Sequence, residues 1–177
     1  MRDLTEIRWH ARAGQGAKTA SQILALAFMR SGKSVQSFPE YGPERRGAPL
    51  RAYTRVGSRP VRRHDSIEHP DVVVVLDDSL LAEPAVREGV EAGTTVLVNT
   101  VAPARLAGIR LRAVPTARFA AVDGASFANV AMLGAVAAAL GEPPLETLQD
   151  AVVETLGGKV EPAALRAAVA EGYAWRS

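Results

Sequence analysis

Thr5 to Ala11 alternates apolar Ile7, Trp9 and Ala11 with polar Glu6, Arg8 and His10, the period of a strand with one face buried. A glycine-rich turn, Arg12 to Gly16, ends it. Beyond the turn, Ala20, Ile23, Leu24, Ala27 and Phe28 recur at three- and four-residue spacing, which predicts a helix over residues 17–31. Gly32 stands where a helix terminator with positive φ belongs. Val35 to Phe38 reads as a second strand, and Pro39 and Pro43 bar a helix through the loop that follows. Leu50, Ala52, Thr54 and Val56 alternate with Arg51, Tyr53 and Arg55, a strand with a polar face. Val61 to Asp65 is expected to pair back on it as an edge strand.

Asp71 to Asp77 contains VVVVL, a continuous β-branched run bounded by acids, as in a central parallel strand buried on both faces. Residues 79–90 then read as a helix with Pro84 near its start. Thr95 to Asn99 is another buried strand, Pro103 to Ala107 a short helix, and Ile109 to Val114 a strand alternating with Arg110 and Arg112. Ser126 to Leu140 is a long Ala-rich helix whose small residues permit close packing on the sheet, and Gly141, Pro143 and Pro144 end it. Leu145 to Leu156 and Pro162 to Ala174 are two terminal amphipathic helices separated by Gly157 and Gly158. The succession predicts an α/β fold, an open, mostly parallel three-layer α/β/α sheet of the Rossmann-like kind. It carries a β-hairpin insertion and C-terminal helices, in a single domain over residues 1–177.

Composition narrows the chemistry. The chain of 177 residues is 47% hydrophobic and 23% charged, ordinary for a globular protein. It has no cysteine, which excludes disulfides, a thiol nucleophile and any iron–sulfur cluster or thiolate zinc site held by this chain. His10, His64 and His69 show no HExxH or comparable spacing, so each is read as a surface or strand-end residue and no metal site is assigned. The N-terminus has no apolar leader segment, and the longest apolar run, residues 127–140, is shorter than the roughly 20 residues a bilayer span needs. A cytoplasmic chain with no membrane partner is expected. A net charge of +2 does not imply nucleic acid. Between Arg45 and Arg63, however, seven arginines occur without one acid. That run admits two readings, a solvated hairpin face or a surface for an acidic partner or a phosphate-bearing ligand.

Two motifs stand outside any core pattern, at opposite ends of one crossover helix. A strand, then Gly14, Gln15 and Gly16, then a helix places backbone N–H groups at the sheet's carboxyl edge, a geometry that can hold a phosphate or cofactor. A Walker loop fails because Ala17 precedes Lys18 and Thr19, and a dinucleotide fingerprint would need glycine at Thr19. A stand-alone nucleotide-binding module is the alternative function, and tight strand–helix packing the bland reading. Asp77 and Asp78, at a strand end, fit either a hydrolase's carboxylate pair or, better, caps of the following helix. The second motif is Phe38, Pro39, Glu40, Tyr41, Gly42, Pro43, Glu44, Arg45, Arg46 and Gly47, which continues through Ala48 to Pro49. Prolines stiffen it, lowering the entropy cost of binding, Tyr41 offers an interface anchor, and Arg45 and Arg46 can grip carboxylates. It reads as a partner-recognition loop.

With these motifs the chain resembles the gamma subunit, or gamma domain, of the 2-oxoacid:ferredoxin oxidoreductases, pyruvate synthase and its relatives. The resemblance is carried by Arg12 to Ala25, Phe38 to Pro49, Pro70 to Leu81, Val96 to Thr100 and Asn129 to Ala135, in the family's order; Ala13 stands where the family usually carries glycine. It implies a subunit of a larger enzyme that oxidatively decarboxylates a 2-oxoacid on thiamine diphosphate with Mg, passes electrons through [4Fe-4S] clusters to ferredoxin or another acceptor, and forms an acyl-CoA from CoA. The implied partners are alpha, beta and ferredoxin-like delta subunits. The implied role of this chain is non-catalytic: it braces the assembly and helps close over the thiamine and CoA region.

Overall fold

A four-valine run has to be covered on both faces, and the chain places it at the middle of its sheet. The computed structural model describes residues 3–40, 47–63, 65–102, 105–106, 109–119 and 127–175. In chain order the elements are β1 (Leu4–Arg12), α1 (Ala17–Arg30), β2 (Ser34–Glu40), β3 (Pro49–Gly57), β4 (Val72–Val75), a 3-10 helix (Asp78–Ala82), α2 (Pro84–Arg87), β5 (Thr95–Asn99), β6 (Arg105–Leu106), β7 (Ile109–Val114), a second 3-10 helix (Thr116–Arg118), α3 (Ala128–Leu140), α4 (Leu145–Leu156) and α5 (Pro162–Ala174). The strands form one sheet in the order β2-β3-β1-β4-β5-β7-β6. β1, β4, β5 and β7 run parallel, and β4, fully buried, lies between β1 and β5.

The borders of the sheet are antiparallel, so the sheet as a whole is mixed. β3 pairs antiparallel with both β1 and β2, and β6 pairs antiparallel with β7. β3 therefore enters between β1 and β2, and the inserted hairpin is β2–β3. Of the return strand expected over Val61 to Asp65, the described residues, Val61 to Arg63 and Asp65, carry no strand, because both edges of β3 are already occupied. Pro39 lies inside β2, opposite Ala52, where its missing N–H is tolerated because β2 is an edge strand.

Two helix expectations also change. In place of one helix over residues 79–90 there is a 3-10 helix and the four-residue α2, divided at Glu83, which is extended (φ −73°, ψ 128°). The ring of Pro84 disfavours helical backbone in the residue before it. Arg105 and Leu106 form a short strand within the stretch expected to be helical, while Pro103, Ala104 and Ala107 lie outside the described residues.

The main core lies on one face of the sheet. Ile7, Trp9, Ala52, Val56, Val72, Val74 and Leu97 pack there against α1, α3, α4 and α5. The opposite face is covered more thinly, with Val73, Val75, Val96 and Val98 under Leu80 and Val86 of the short helical turns. The small residues of α3 serve a helix–helix contact as well as the sheet. A Cβ on Gly172 of α5 would lie 1.8 Å from the carbonyl oxygen of Ala131, and one on Gly134 of α3 would lie 2.1 Å from that of Val169. Two backbones meet where both helices lack side chains. Among the described residues, no helix is long and apolar enough to cross a membrane.

Candidate functional site

Because β2 runs in the same sense as β1, one strand removed, both sequence motifs emerge at the same edge of the sheet. They are separated by a helix along the chain yet adjacent in space. The Ala13 N–H donates to the carbonyl of Ala48 at 2.9 Å, and Arg12 Nη1 donates to the carbonyl of Gly47 at 3.1 Å. Gly47 has φ 79°, which favours glycine at this re-entry. Arg12 also donates to Ser79 Oγ from Nη2 at 2.7 Å and lies 3.5 Å from Asp77. One guanidinium thus ties together the glycine turn, the returning end of the loop and the end of β4.

Gly14, Gln15 and Gly16 make an internally bonded turn. Gly14 has φ 99° and Gly16 φ 79°, both in the left-handed region that favours glycine. Gln15 Oε1 accepts from the Arg12 N–H at 2.7 Å, and Gln15 Nε2 donates to Asp77 Oδ2 at 2.8 Å. A Cβ at Gly16 would fall 2.5 Å from Asn129 Nδ2, at the start of α3, whereas nothing lies within 4 Å of one at Gly14. Burial pushes the Asp77 carboxyl up, but hydrogen bonds from Ser79 and Gln15, with Arg12 nearby, outweigh it and hold the group below its ordinary value. A carboxylate kept ionised beside the turn opposes a phosphate there, and close packing accounts for Gly16. Asp77 caps the 3-10 helix through the Ser79 N–H at 3.1 Å, and Asp78 accepts from Thr100 Oγ1 at 2.8 Å. The capping reading holds for Asp77, whereas Asp78 is the first residue of the 3-10 helix and is held by Thr100 instead.

The remaining loop residues divide in two. Phe38, Pro39 and Glu40 belong to β2, whereas Tyr41, Gly42, Pro43, Glu44, Arg45 and Arg46 lie outside the described residues. Phe38 stacks on Tyr53 with ring centroids 5.0 Å apart, and the Arg55 guanidinium sits 5.6 Å from its centroid. Glu40 accepts from the Tyr53 hydroxyl and, at 2.7 Å, from Arg51 Nη2. Burial raises the Glu40 pKa, but these two donors prevail and its net shift is downward. Burial, then the bond to Glu40, pushes the Tyr53 phenol well above its usual range. The Glu40 side chain is therefore committed within the fold, to strand β3.

Three rows of paired side chains cross β1, β3 and β2 on the thinly covered face: Glu6, Arg55, Gln36; Arg8, Tyr53, Phe38; and His10, Arg51, Glu40. Alternation correctly put the β1 and β3 members of these rows on the polar face of their strands, but that face is not solvated. Arg8 and Arg55 are 1% and 0% exposed. Arg55 donates to Glu6, Gln36 and the Asp65 carbonyl at 2.8, 3.0 and 2.8 Å. Among the described residues Arg8 is held by neutral acceptors, donating to His10 Nε2 at 3.0 Å and to the carbonyls of Ile67, Val86 and Glu88. Arg51 and Arg63 pair with Glu40, Glu88 and Asp65, so much of the arginine run is neutralised by acids from elsewhere in the chain. His10 is buried rather than at the surface; burial first, then Arg8 and Arg51, hold its pKa down to about 3, so its imidazole is neutral. His69 is exposed beside Glu91, and His64 lies outside the described residues. The sequence contains one clue to this layer: charged residues alternate on two strands near a long apolar run, and both faces of such a sheet tend to be covered.

A parallel-centred α/β sheet whose two loop motifs are fused at the carboxyl edge defines the class, a Rossmann-like domain with its distinctive backbone at the topological edge where such folds place their sites. The chain belongs to the pyruvate ferredoxin/flavodoxin oxidoreductase family, whose model matches residues 6–175. It is 44% identical over 163 residues to pyruvate synthase subunit PorC of Thermotoga maritima, covering 87% of this chain and 83% of that one. The pyruvate/ketoisovalerate oxidoreductases common subunit gamma of Thermococcus kodakarensis is 45% identical over 164 residues, with 88% of each chain covered. The crystal structure of pyruvate oxidoreductase subunit PORC from Thermotoga maritima superposes with a TM-score of 0.82 at 39% identity, over 97% of this chain and 96% of that chain.

Proposed function

We propose that this chain is the gamma-type subunit of a keto-acid:ferredoxin oxidoreductase complex, and that its part there is to form interfaces. The whole complex would carry out the oxidative decarboxylation of a 2-oxoacid on thiamine diphosphate and Mg, with transfer of electrons through [4Fe-4S] clusters and capture of the acyl group by CoA. The present residues do not fit those groups. The chain offers no thiolate to a cluster, and among the described residues no three histidine or acidic side chains gather as a metal site. Alpha, beta and ferredoxin-like delta chains would hold them, and this chain would close over the thiamine and CoA region.

The observation that carries this reading is the joint at the carboxyl edge. Arg12 and the Ala13 N–H bind Gly47 and Ala48, the returning end of the loop, to the glycine turn, so the two motifs are joined at one surface. Joining the two before binding reduces the entropy lost on docking. The test compares side-chain footprinting of the purified chain with that of the co-expressed complex. Tyr41, Arg45 and Arg46 are expected to become protected on assembly, and the solitary chain is expected to have no turnover. Unchanged exposure of those three residues, or oxidation of a 2-oxoacid by the pure chain, would overturn the reading.

A further inference from the structure

Two stretches of chain roof the thinly covered face of the sheet, residues 65–70 before β4 and residues 80–90 after it. Neither is built to stand alone. The first carries no helix or strand, and the second holds only the end of a 3-10 helix and the four residues of α2. An isolated helix shorter than roughly 12–15 residues is marginal in water. Apolar anchors are few: Ile67, Pro70, Leu80 and Val86 are buried, and the rest of both stretches is exposed or half-buried. Beneath them a cavity of 210 Å³ separates His10, Leu50 and Arg51 of the strands from Leu80, Ala85 and Val86 of the turns. Dispersion contact across that gap is incomplete.

What joins the roof to the sheet is a pair of arginines. Arg8 of β1 donates to the Ile67 carbonyl of the first stretch at 3.3 Å, and to the Val86 and Glu88 carbonyls of the second at 3.3 and 2.6 Å. Arg55 of β3 donates to the Asp65 carbonyl at 2.8 Å. The stretches also meet each other backbone to backbone, since a Cβ on Gly89 would lie 1.7 Å from the Glu68 carbonyl oxygen. One guanidinium therefore latches both at once. Each is pinned where it rejoins the sheet: the Asp71 N–H donates to the Glu6 carbonyl at 2.9 Å, and the Thr95 N–H to the Asp71 carbonyl at 2.9 Å.

We propose that residues 65–70 and 80–90 form one strap, latched by Arg8, that lifts from the sheet as a unit while the strands and the layer of α1, α3, α4 and α5 stay folded. Parts of a fold with few buried apolar contacts open at lower free energy than the whole, in cooperative units. Lifting uncovers His10, which is 4% exposed with the strap down. It also frees Arg51 from Glu88 and leaves it with Glu40, at the foot of the recognition loop. The strap is thus a conformational device beside that loop, and its lifting requires nothing of the interface role proposed above.

The test combines native-state hydrogen exchange of the purified chain with carbethoxylation of His10 by diethyl pyrocarbonate, read by peptide mass spectrometry. Within the strap the N–H groups of Val86, Glu88 and Val90 donate to the carbonyls of Glu83, Pro84 and Arg87, whereas the amides of α4 and α5 report on global unfolding. The three strap amides and His10 are expected to share one opening constant, larger than that of α4 and α5 and growing with added urea. Arg8→Lys keeps the charge but cannot fork to both stretches. It is expected to raise the constant about tenfold or more at all four sites, the size of losing a bond to a charged group. Gly89→Ala, which drives the stretches apart, is expected to raise it as well. Strap amides that exchange at unrelated rates insensitive to urea, with His10 unreactive, would mean fraying turns and overturn the strap. Reaction at all four sites only as fast as exchange in α4 and α5 would overturn it equally. Native opening in folded Arg8→Lys would overturn the latch.

Discussion

Replacing Gly172 by alanine tests the packing of the C-terminal helices, because two opposing effects compete at one atom. In an open helix the exchange stabilises by about 1 kcal/mol, since alanine loses less backbone freedom. Here the new Cβ would lie 1.8 Å from the Ala131 carbonyl oxygen, against a practical limit of 3.0 Å, so the shortfall is 3.0 − 1.8 = 1.2 Å. The obstacle is helix backbone and cannot swing aside, so α5 must move off α3. A gap of about 0.5–1 Å already forfeits a quarter to a half of each dispersion contact, and Leu165, Ala168 and Val169 all lie along that seam. Overpacking costs about 1–3 kcal/mol, and against an immovable backbone the upper end, about 3 kcal/mol, applies; less the gain of about 1 kcal/mol, a net loss of about 2 kcal/mol is expected. That corresponds to a fall of about 4–8 °C in Tm for a chain of this length, measured by circular dichroism. Gly134→Ala closes the same seam, with a shortfall of 3.0 − 2.1 = 0.9 Å. One displacement relieves both clashes, so the double variant should lose less than the sum of the singles. A Tm for Gly172→Ala at or above that of the native chain would refute the reasoning.

Three further outcomes follow from the polar layer and the glycine turn. Arg55→Met removes a fully buried cation and strands Glu6; a loss of about 3 kcal/mol is expected, and a Tm shift under about 2 °C would contradict it. His10 has a folded pKa depressed to about 3 against an ordinary value of 6.5, so the unfolded chain takes up a proton that the folded chain refuses. Its contribution is complete above pH 6.5 and is lost as pH falls from there toward 3, at up to about 1.4 kcal/mol per unit. Urea midpoints of His10→Gln should accordingly decline less steeply between pH 7 and 5 than those of the native chain, and parallel slopes would count against the assignment. Gly14→Ala and Gly16→Val both force a side chain into left-handed backbone, at about 1–2 kcal/mol, but only the second also displaces Asn129. Gly16→Val should be the more destabilised of the two by denaturant titration, and equal losses would show that the Asn129 contact does not matter.

Much of the fold was legible because it rests on local periodicity. The VVVVL run, the alternation in β1 and β3, and the terminal helices α4 and α5 at Leu145–Leu156 and Pro162–Ala174 all follow from the spacing of apolar residues. The helix over residues 79–90 did not survive, because Pro84 acts on its predecessor and only a short turn remains. The described part of the strand expected at Val61 to Asp65 failed for a non-local reason, the prior occupation of both β3 edges. Of the candidate site, the glycine turn and the loop stood out by composition, but Arg12, which joins them, gave no signal by its spacing.

From the chain alone came the residue classes: an apolar stripe for each long helix, a polar row on two strands, glycines at the turns and no thiol anywhere. Those are properties of neighbours in sequence, fixed by backbone geometry within a few residues. Only the tertiary structure decided that β2 returns in the same sense as β1, which carries both motifs to one edge, and that the polar row is roofed over, which turns Arg8, Arg55 and His10 into buried groups. Strand order and burial depend on contacts between residues far apart along the chain, and no local period records which strand will come to lie between two others.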